Sequence, residues 1–255
     1  MFFRSMVAVG LLVFSHLAFS GTWYDPKLPF KEAVVTYQVQ GTMSGTKTVF
    51  VREYGRKSAE YSDLSMSVFG MKQQQKEIVI TEPEWIYTFD MVNHSAVKTS
   101  NPTKIFKQEL DKYTAEEQAK IAENAGKNGV YLLKGMQGKV QKDILTLHGY
   151  RCDMTSATGV KVFTISGTGF PLKTISQIMG VTSVEEAVEV RQENPPDERF
   201  EKPQGIEVDY DPAIDQMMRD QIKRTLKNLL LGVPLESKAR HEQEMLSAER
   251  KALHN

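Results

Sequence analysis

The 255-residue sequence is poor in cysteine and carries no excess of either charge. Its one cysteine, Cys152, excludes a disulfide within the chain and a cysteine-based zinc cluster. With 32 Lys+Arg against 32 Asp+Glu residues, the chain lacks the basic surplus that sequence-independent binding to nucleic acid requires, so we expect no nucleic-acid partner. The apolar fraction of 40% is that of a folded globular protein and excludes a disordered chain.

Long hydrophobic runs are missing outside the N-terminus. Residues 6–19 are apolar apart from two positions, follow Arg4, and lead into small residues at positions 18 and 20. This pattern predicts a signal peptide over residues 1–20, cleavage before Gly21 and export to the periplasm. A retained membrane anchor is disfavoured, because the run is shorter than the about 20 residues that cross a bilayer. We therefore expect no transmembrane segment after processing.

The rest of the sequence divides into a domain over residues 21–231 and a tail over residues 232–255. The first part is long enough to bury a single core without covalent cross-links. The second part is charged and has few large apolar residues, which predicts a mobile tail that buries little surface.

Motifs of the common enzyme classes are absent. The sequence has no G-x-S-x-G, no phosphate-binding G-x-x-x-x-G-K, no G-x-G-x-x-G and no H-E-x-x-H. In one extended strand His148 and Cys152 share a face, but at 3.3 Å per residue they lie about 13 Å apart. That distance is too long for a nucleophile and its base, or for one metal ion, unless the strand bends at Gly149. Packing of Cys152 in the core is the favoured alternative. The acidic residues between positions 185 and 198 lack the spacing of a calcium loop. The sequence predicts no enzyme, no cofactor and no metal site.

Alternating apolar and polar residues predict a meander of antiparallel strands in the first half of the chain. Val35, Tyr37 and Val39 alternate with polar residues, and Ser44-Gly45 predicts the first turn. Parallel strands need long crossovers, which the short connections exclude here. The expected strands cover residues 34–40, 47–53, 57–65, 73–81, 85–90 and 96–99, and later residues 139–147, 150–154, 160–166 and 206–210.

Helix-capping patterns predict three helices. Asn101-Pro102 begins the first helix, and the capping box of Thr114 and Glu117 begins the second. Asp211 caps a C-terminal amphipathic helix that ends at Gly232. Its expected apolar face comprises Ile214, Met217, Met218, Ile222, Leu226, Leu229 and Leu230. Residues 182–192 fit either a helix or a strand. Helices inserted between runs of strands predict the α+β class.

Five aromatic residues of the predicted strands are candidates for a ligand cavity. Trp85, Tyr87 and Phe89 share one face of their strand, and Tyr37 and Phe50 lie in two other strands. Such a set is most often ordinary core. The alternative is a concavity under a curved sheet that binds a lipid or another hydrophobic ligand.

Six short segments give the chain a family resemblance. It resembles the LolA/LolB-like superfamily of periplasmic lipoprotein-handling proteins, within it an uncharacterised exported bacterial branch, over residues 33–210. The segments are the opening strand at 34–40, GRKSAE at 55–60, WIYTFD at 85–90, GYRC at 149–152, PLK at 171–173 and FEKPQGI at 200–206.

The resemblance implies a strongly curved antiparallel sheet, an unclosed β-barrel, with helices covering its concave side. It also makes residues 182–192 a strand, and it implies a cavity for acyl chains without catalytic residues. No arginine here can be assigned to the cavity arginine of the family, and no lipidated cysteine follows the N-terminal run. The C-terminal helix and the tail lie outside the resemblance.

The sequence is consistent with two functions. The leading hypothesis is an exported, non-catalytic binding or carrier protein for a lipid or a lipidated protein. The alternative is a structural or interaction protein with a self-filled core, which docks an envelope protein partner through its C-terminal helix or tail.

Overall fold

The computed structural model describes residues 22–25, 27–68, 71–128, 139–157, 159–178 and 181–233. They form one curved 12-stranded sheet and three α-helices, which confirms the α+β class. None of these helices is both long and apolar enough to cross a membrane. The predicted signal peptide and most of the predicted tail lie outside the described residues.

The sheet is antiparallel except at one edge. From one edge to the other the strand order is β12-β6-β5-β4-β3-β2-β1-β11-β10-β9-β8-β7, so the sheet does not close on itself. Among the described strands only β12 and β6 pair in parallel, because β12 returns to the edge after the rest of the sheet is complete. The strands are β1 Ala33–Gly41, β2 Met43–Arg52, β3 Lys57–Val68, β4 Met71–Thr81, β5 Trp85–Asp90, β6 Ser95–Ser100, β7 Lys139–Leu147, β8 Tyr150–Ala157, β9 Val160–Ile165, β10 Pro171–Ile178, β11 Val181–Arg191 and β12 Val208–Tyr210.

The predicted turn at Ser44-Gly45 is wrong. Both residues lie inside β2, and the chain reverses at Gly41-Thr42. Gly45 has φ +148°, and a Cβ there would lie 2.1 Å from the carbonyl oxygen of Asp63. Glycine is therefore needed for close approach of two strands and not for a turn.

The sequence patterns missed one strand, β10, over residues 171–178. β10 begins at Pro171 and pairs with β9 and β11. Of residues 182–192, which fitted either structure, all but Gln192 belong to β11, as the resemblance implies. β11 pairs with β1 over eight residue pairs and thus joins the two halves of the sheet.

The three helices are α1 Pro102–Leu110, α2 Ala115–Asn128 and α3 Pro212–Leu231. The predicted caps are confirmed: the Asn101 side chain accepts a hydrogen bond from the Thr103 N–H, and Asp211 does the same for Ala213. Thr114 and Glu117 form the predicted capping box. The apolar face of α3 is narrower than expected, because 65% of Met217 is exposed.

Three hydrophobic cores hold the described part of the molecule together. One lies on the sheet around Tyr37 and Leu172, a second on the sheet around Phe50 and Phe89, and a third between the helices. Within residues 22–233 as described, the helical core contains no sheet residue; it is completed by Trp23 and Tyr24. The contact of α3 with β6 joins the helices to the edge of the sheet.

Candidate ligand-binding site

Four of the five candidate aromatic residues lie on one face of the sheet. Directly paired residues of neighbouring strands share a face. The pairing places Phe50 opposite Ala59, Ala59 opposite Ile80, and Ile80 opposite Tyr87. Trp85 and Phe89 are two residues from Tyr87 in the same strand and share its face. We call this surface the aromatic face; its core residues are Val34, Phe50, Ala59, Ile80, Phe89 and Ala96, flanked by Tyr61, Ile78 and Tyr87.

The fifth candidate, Tyr37, lies on the opposite face. It pairs with Lys47, whose ammonium group lies 4.6 Å from the centre of the Tyr37 ring and also contacts the Glu185 carboxylate. The Tyr37 hydroxyl donates a hydrogen bond of 2.7 Å to the Pro171 carbonyl, and only 1% of the residue is exposed. Burial, followed by the negative charges of Glu185 and Glu60, raises the pKa of Tyr37 well above its usual value. Tyr37 is therefore a neutral, hydrogen-bonded core residue.

Burial differs among the four residues of the aromatic face. Phe89 is completely buried and Phe50 nearly so. Trp85 and Tyr87 are half-buried, although they belong to the same strand, β5, as Phe89. Burial of the aromatic face thus decreases along β5, from Phe89 towards Trp85 at the start of the strand.

The cover of the aromatic face is the stretch of chain between β11 and β12. We call residues 195–207 the covering segment. Apart from the 3-10 helix Asp197–Phe200 it has no regular secondary structure. It contributes two apolar side chains to the core, Phe200 and Ile206. Its backbone–backbone hydrogen bonds are local, from the Arg199 N–H to Pro196 and from the Glu201 N–H to Glu198, but the Arg199 carbonyl also accepts a hydrogen bond of 3.0 Å from the Tyr61 hydroxyl of the sheet.

Cations of the covering segment stack on the aromatic rings. The Arg199 guanidinium lies 5.3 Å from the Phe50 ring centre and 5.5 Å from that of Tyr61. The Lys202 ammonium lies 3.6 Å from the Tyr87 ring centre. In return, Arg52 of the sheet stacks 4.5 Å from the Phe200 ring and contacts Asp197 and the Pro195 carbonyl. Cation–π contacts of this kind contribute about 0.5–2 kcal/mol each.

Two lysines flank Trp85 where the aromatic face meets the sheet edge. The ammonium groups of Lys98 and Lys104 lie 4.9 Å and 5.0 Å from the Trp85 ring. Tyr210 packs edge-on against the same ring at 5.7 Å, and its centre is 5.8 Å from Lys98. We call Trp85, Lys98, Lys104 and Tyr210 the lysine end of the aromatic face.

Sequence patterns did not identify the cationic residues of this site. Arg199 and Lys202 lie in an irregular segment, where no periodicity assigns a side chain to a face. Lys98 occupies a strand position directly opposite Tyr87, so strand parity and register together could have placed it on the aromatic face. The register of the strand pairs cannot be predicted from the sequence alone.

Cys152 is buried in β8, as predicted. Desolvation is the main cause that raises the pKa of its thiol. The predicted shared face with His148 is wrong, because His148 belongs to the β7–β8 turn with φ +49° and lies outside the strand. Its Nε2 donates a hydrogen bond of 2.7 Å to the Ala187 carbonyl.

A separate shallow concavity of 220 Å³ lies near the ends of β2–β5, and none of the five candidate residues lines it. The described residues contain no group of three His, Cys, Asp or Glu side chains placed to hold a metal ion. The lining residues of the concavity are Met43, Leu64, Met66, Gln73, Gln74, Gln75, Asp90, Val92 and Asn93.

No protein-family model matches the chain, and no curated protein matches it. Among solved structures, an uncharacterised conserved protein from Thermus thermophilus matches 71% of this chain and 91% of its own, with 9% identity and a TM-score of 0.41. MucB matches 68% of this chain with 9% identity and a TM-score of 0.31. The Pseudomonas aeruginosa MucA/MucB complex matches 68% of this chain with 12% identity and a TM-score of 0.31. The chain spans 58% and 56% of these last two chains. TM-scores below 0.5 at such identities do not define a family.

Proposed function

We propose that this chain is an exported, non-catalytic binding or carrier protein for a hydrophobic ligand, a lipid or a lipidated protein, in the periplasm. The observation that carries the proposal is the aromatic face, an apolar surface of strands β1–β6 that is covered by an irregular segment. The ligand would take the place that Phe200 and Ile206 now occupy against this face. The N-terminal segment and the resemblance to lipoprotein-handling proteins support the same class.

The contacts of the covering segment favour its displacement. Its backbone–backbone bonds are local, so residues 195–207 themselves belong to no strand ladder, and the side-chain hydrogen bond from Tyr61 to the Arg199 carbonyl can be exchanged for water. Arg199, Lys202 and Arg52 can exchange their contacts with aromatic rings for water. The buried Nε of Arg52 has no hydrogen-bond partner in the described chain, and it would gain one on exposure to water. Opening exposes the two apolar side chains, a cost that a bound acyl chain would offset, and it breaks the contacts of Asp197 with Arg52 and of Lys202 with Glu82, which water can replace.

Uptake of a fluorescent hydrophobic probe by delipidated protein tests this proposal. We expect the wild type to bind the probe, and Tyr87→Ala to weaken binding tenfold or more, because Tyr87 lines the site. Phe200→Ala should strengthen binding, since it removes part of the internal cover. Tyr54→Ala is the matched control; Tyr54 is exposed and lies outside the aromatic face.

The stability of Tyr87→Ala adds a second measurement. Deletion of a fully packed large aromatic side chain costs roughly 3–5 kcal/mol. A residue in a ligand-binding wall has contacts on one side only, so we expect a smaller cost. A severely destabilised Tyr87→Ala protein, together with no probe uptake by the wild type or by Phe200→Ala, would exclude the carrier function.

A structural or interaction protein is the second candidate. The complete burial of Phe89 and the near-complete burial of Tyr37 support this candidate, because they leave no space for a ligand around these two rings. α3 also exposes Met217 and Leu231, 65% and 62% accessible, as apolar contacts for an envelope protein partner. Protein that contains no co-purifying lipid by mass spectrometry and takes up no probe would favour this candidate.

A further inference from the structure

We propose that the hydrophobic ligand is a long-chain anionic amphiphile whose head group binds at the lysine end, beside Lys98 and Lys104. This inference rests on the proposed function and adds the chemical class of the ligand. It follows from the position of Lys98 relative to the apolar residues of the aromatic face.

Lys98 ends an apolar row that crosses the sheet. The row runs perpendicular to the strands through directly paired residues: Phe50, Ala59, Ile80, Tyr87 and Lys98. Four strand spacings of roughly 4.8 Å give it a length of about 19 Å. That length suits an extended long-chain acyl group with its head group at the ammonium of Lys98.

The cations at this end differ in their ionic partners. Lys104 pairs with Glu84, and Lys202 pairs with Glu82 at 3.5 Å. Lys98 forms no salt bridge with any of the described residues; among them its ammonium contacts the rings of Trp85 and Tyr210. A half-buried ammonium group of this kind is stabilised by an anion that binds beside it.

The neighbouring carboxylate of Asp215 does not serve as this anion. It accepts hydrogen bonds from the Ser100 hydroxyl, the Ser100 N–H and the Tyr210 hydroxyl, so its two oxygens are already engaged. The lysine end is also accessible from solvent, because 46% of Tyr210 is exposed. Two ammonium groups beside one indole ring, open to water, are suited to a carboxylate or a phosphate head group.

Competition of three hexadecyl compounds with the fluorescent probe tests the inference on delipidated, full-length protein. Palmitate and hexadecyl phosphate carry an anionic head group, and hexadecanol has the same chain length without charge. We expect the anionic compounds to bind at least tenfold more tightly than hexadecanol. If only palmitate or only the phosphate shows this preference, the inference stands and the head group is identified.

Substitutions at Lys98 test whether this residue causes the preference for anionic compounds. Lys98→Met keeps most of the length and the apolar stem of the side chain but removes the charge, so the preference for anions should fall to less than threefold. Lys98→Arg should retain it. Lys161→Met is the matched control, because Lys161 is an exposed strand lysine of β9, in the other half of the sheet.

The failure of this inference differs from the failure of the proposed function. Equal affinity for palmitate and hexadecanol would overturn the anionic ligand and leave a hydrophobic carrier. Binding of none of the three compounds would overturn both. If Lys98→Met does not fold, the preference of the wild type and its weakening by 0.5 M salt decide the question, because a carboxylate–ammonium contact is screened and a purely apolar contact is not.

Discussion

The carboxylate of Asp215, in the first turn of α3, accepts hydrogen bonds from both the N–H and the hydroxyl of Ser100, at the end of β6. The two distances are 2.8 Å and 2.6 Å, and both residues are buried. This contact fixes the start of α3 on the edge of the sheet, and it ties the helical core to the strands that form the lysine end.

The contact between Asp215 and Ser100 makes the free energy of unfolding depend on pH in the acidic range. Burial works against the charge of Asp215, but the hydrogen bonds from Ser100 and Tyr210 outweigh it and hold the pKa below its ordinary value of 3.8. A carboxyl group with a lowered pKa in the folded state stabilises the protein above its unfolded pKa. This contribution is lost as the pH falls through the lower folded pKa.

We expect Asp215→Asn to destabilise the protein by about 1–3 kcal/mol at pH 7, since hydrogen bonds to a buried charge are lost. Urea unfolding at pH 7 and pH 3 measures the effect, which should be smaller at pH 3. Asp209→Asn, at an exposed position of β12, is the control and should behave as the wild type. An equal loss at both pH values would contradict an ionised Asp215 in the folded protein.

Tyr37 offers a test of whether this candidate residue is core. Tyr37→Phe removes the hydroxyl that donates to the Pro171 carbonyl but keeps the ring. We expect a stability loss of roughly 0.5–1.5 kcal/mol in thermal or urea unfolding. Probe affinity should not change, because Tyr37 lies on the face opposite the proposed site. A change of affinity without a change of stability would place Tyr37 in the ligand site instead.

Cys152 should be unreactive in the folded state. It is fully buried, and desolvation raises the pKa of its thiol, so little thiolate is present at neutral pH. Reaction with a thiol reagent should be at least a hundredfold slower in native buffer than in denaturant. The control is Ser65→Cys in a Cys152→Ala background, since Ser65 is exposed. Labelling of native Cys152 at the rate of this control would show that β8 opens readily.

The C-terminal tail should be dispensable for folding. α3 ends at Leu231, and the N–H groups of Gly232 and Val233 donate to carbonyls of its last turn, so the helix is capped without the following residues. Deletion of residues 234–255 should change the free energy of unfolding by less than about 0.5 kcal/mol. A decrease of the melting temperature by many degrees would show that the tail packs on the domain.

Local signals predicted most of the secondary structure. The caps Asn101, Asp211 and Gly232 set helix ends correctly, because each satisfies backbone groups through its own side chain or conformation. Alternation predicted most strands. It failed at Gly45, where a residue typical of turns serves close strand contact, and at β10, which begins with a proline.

Long-range features could not be predicted in the same way. The parallel return of β12 to β6 joins residues more than a hundred positions apart, and no local pattern encodes such a pairing. The aromatic strand β5 was recognised from its parity, but its partners at the site were not. Lys98 is placed on the aromatic face by the register of β5 and β6, and the cations of the covering segment are placed there by long-range packing.

The three residue pairs between β12 and β6 have a consequence for self-association. They are the last pairs at this edge of the sheet, and they lie at the C-terminal end of the covering segment. If displacement of the segment also detaches β12, the N–H and C=O groups of β6 become available to a strand of another molecule. β12 would then also protect the sheet against edge-to-edge aggregation, and release of the ligand would have to be followed by rapid re-pairing of β12 with β6.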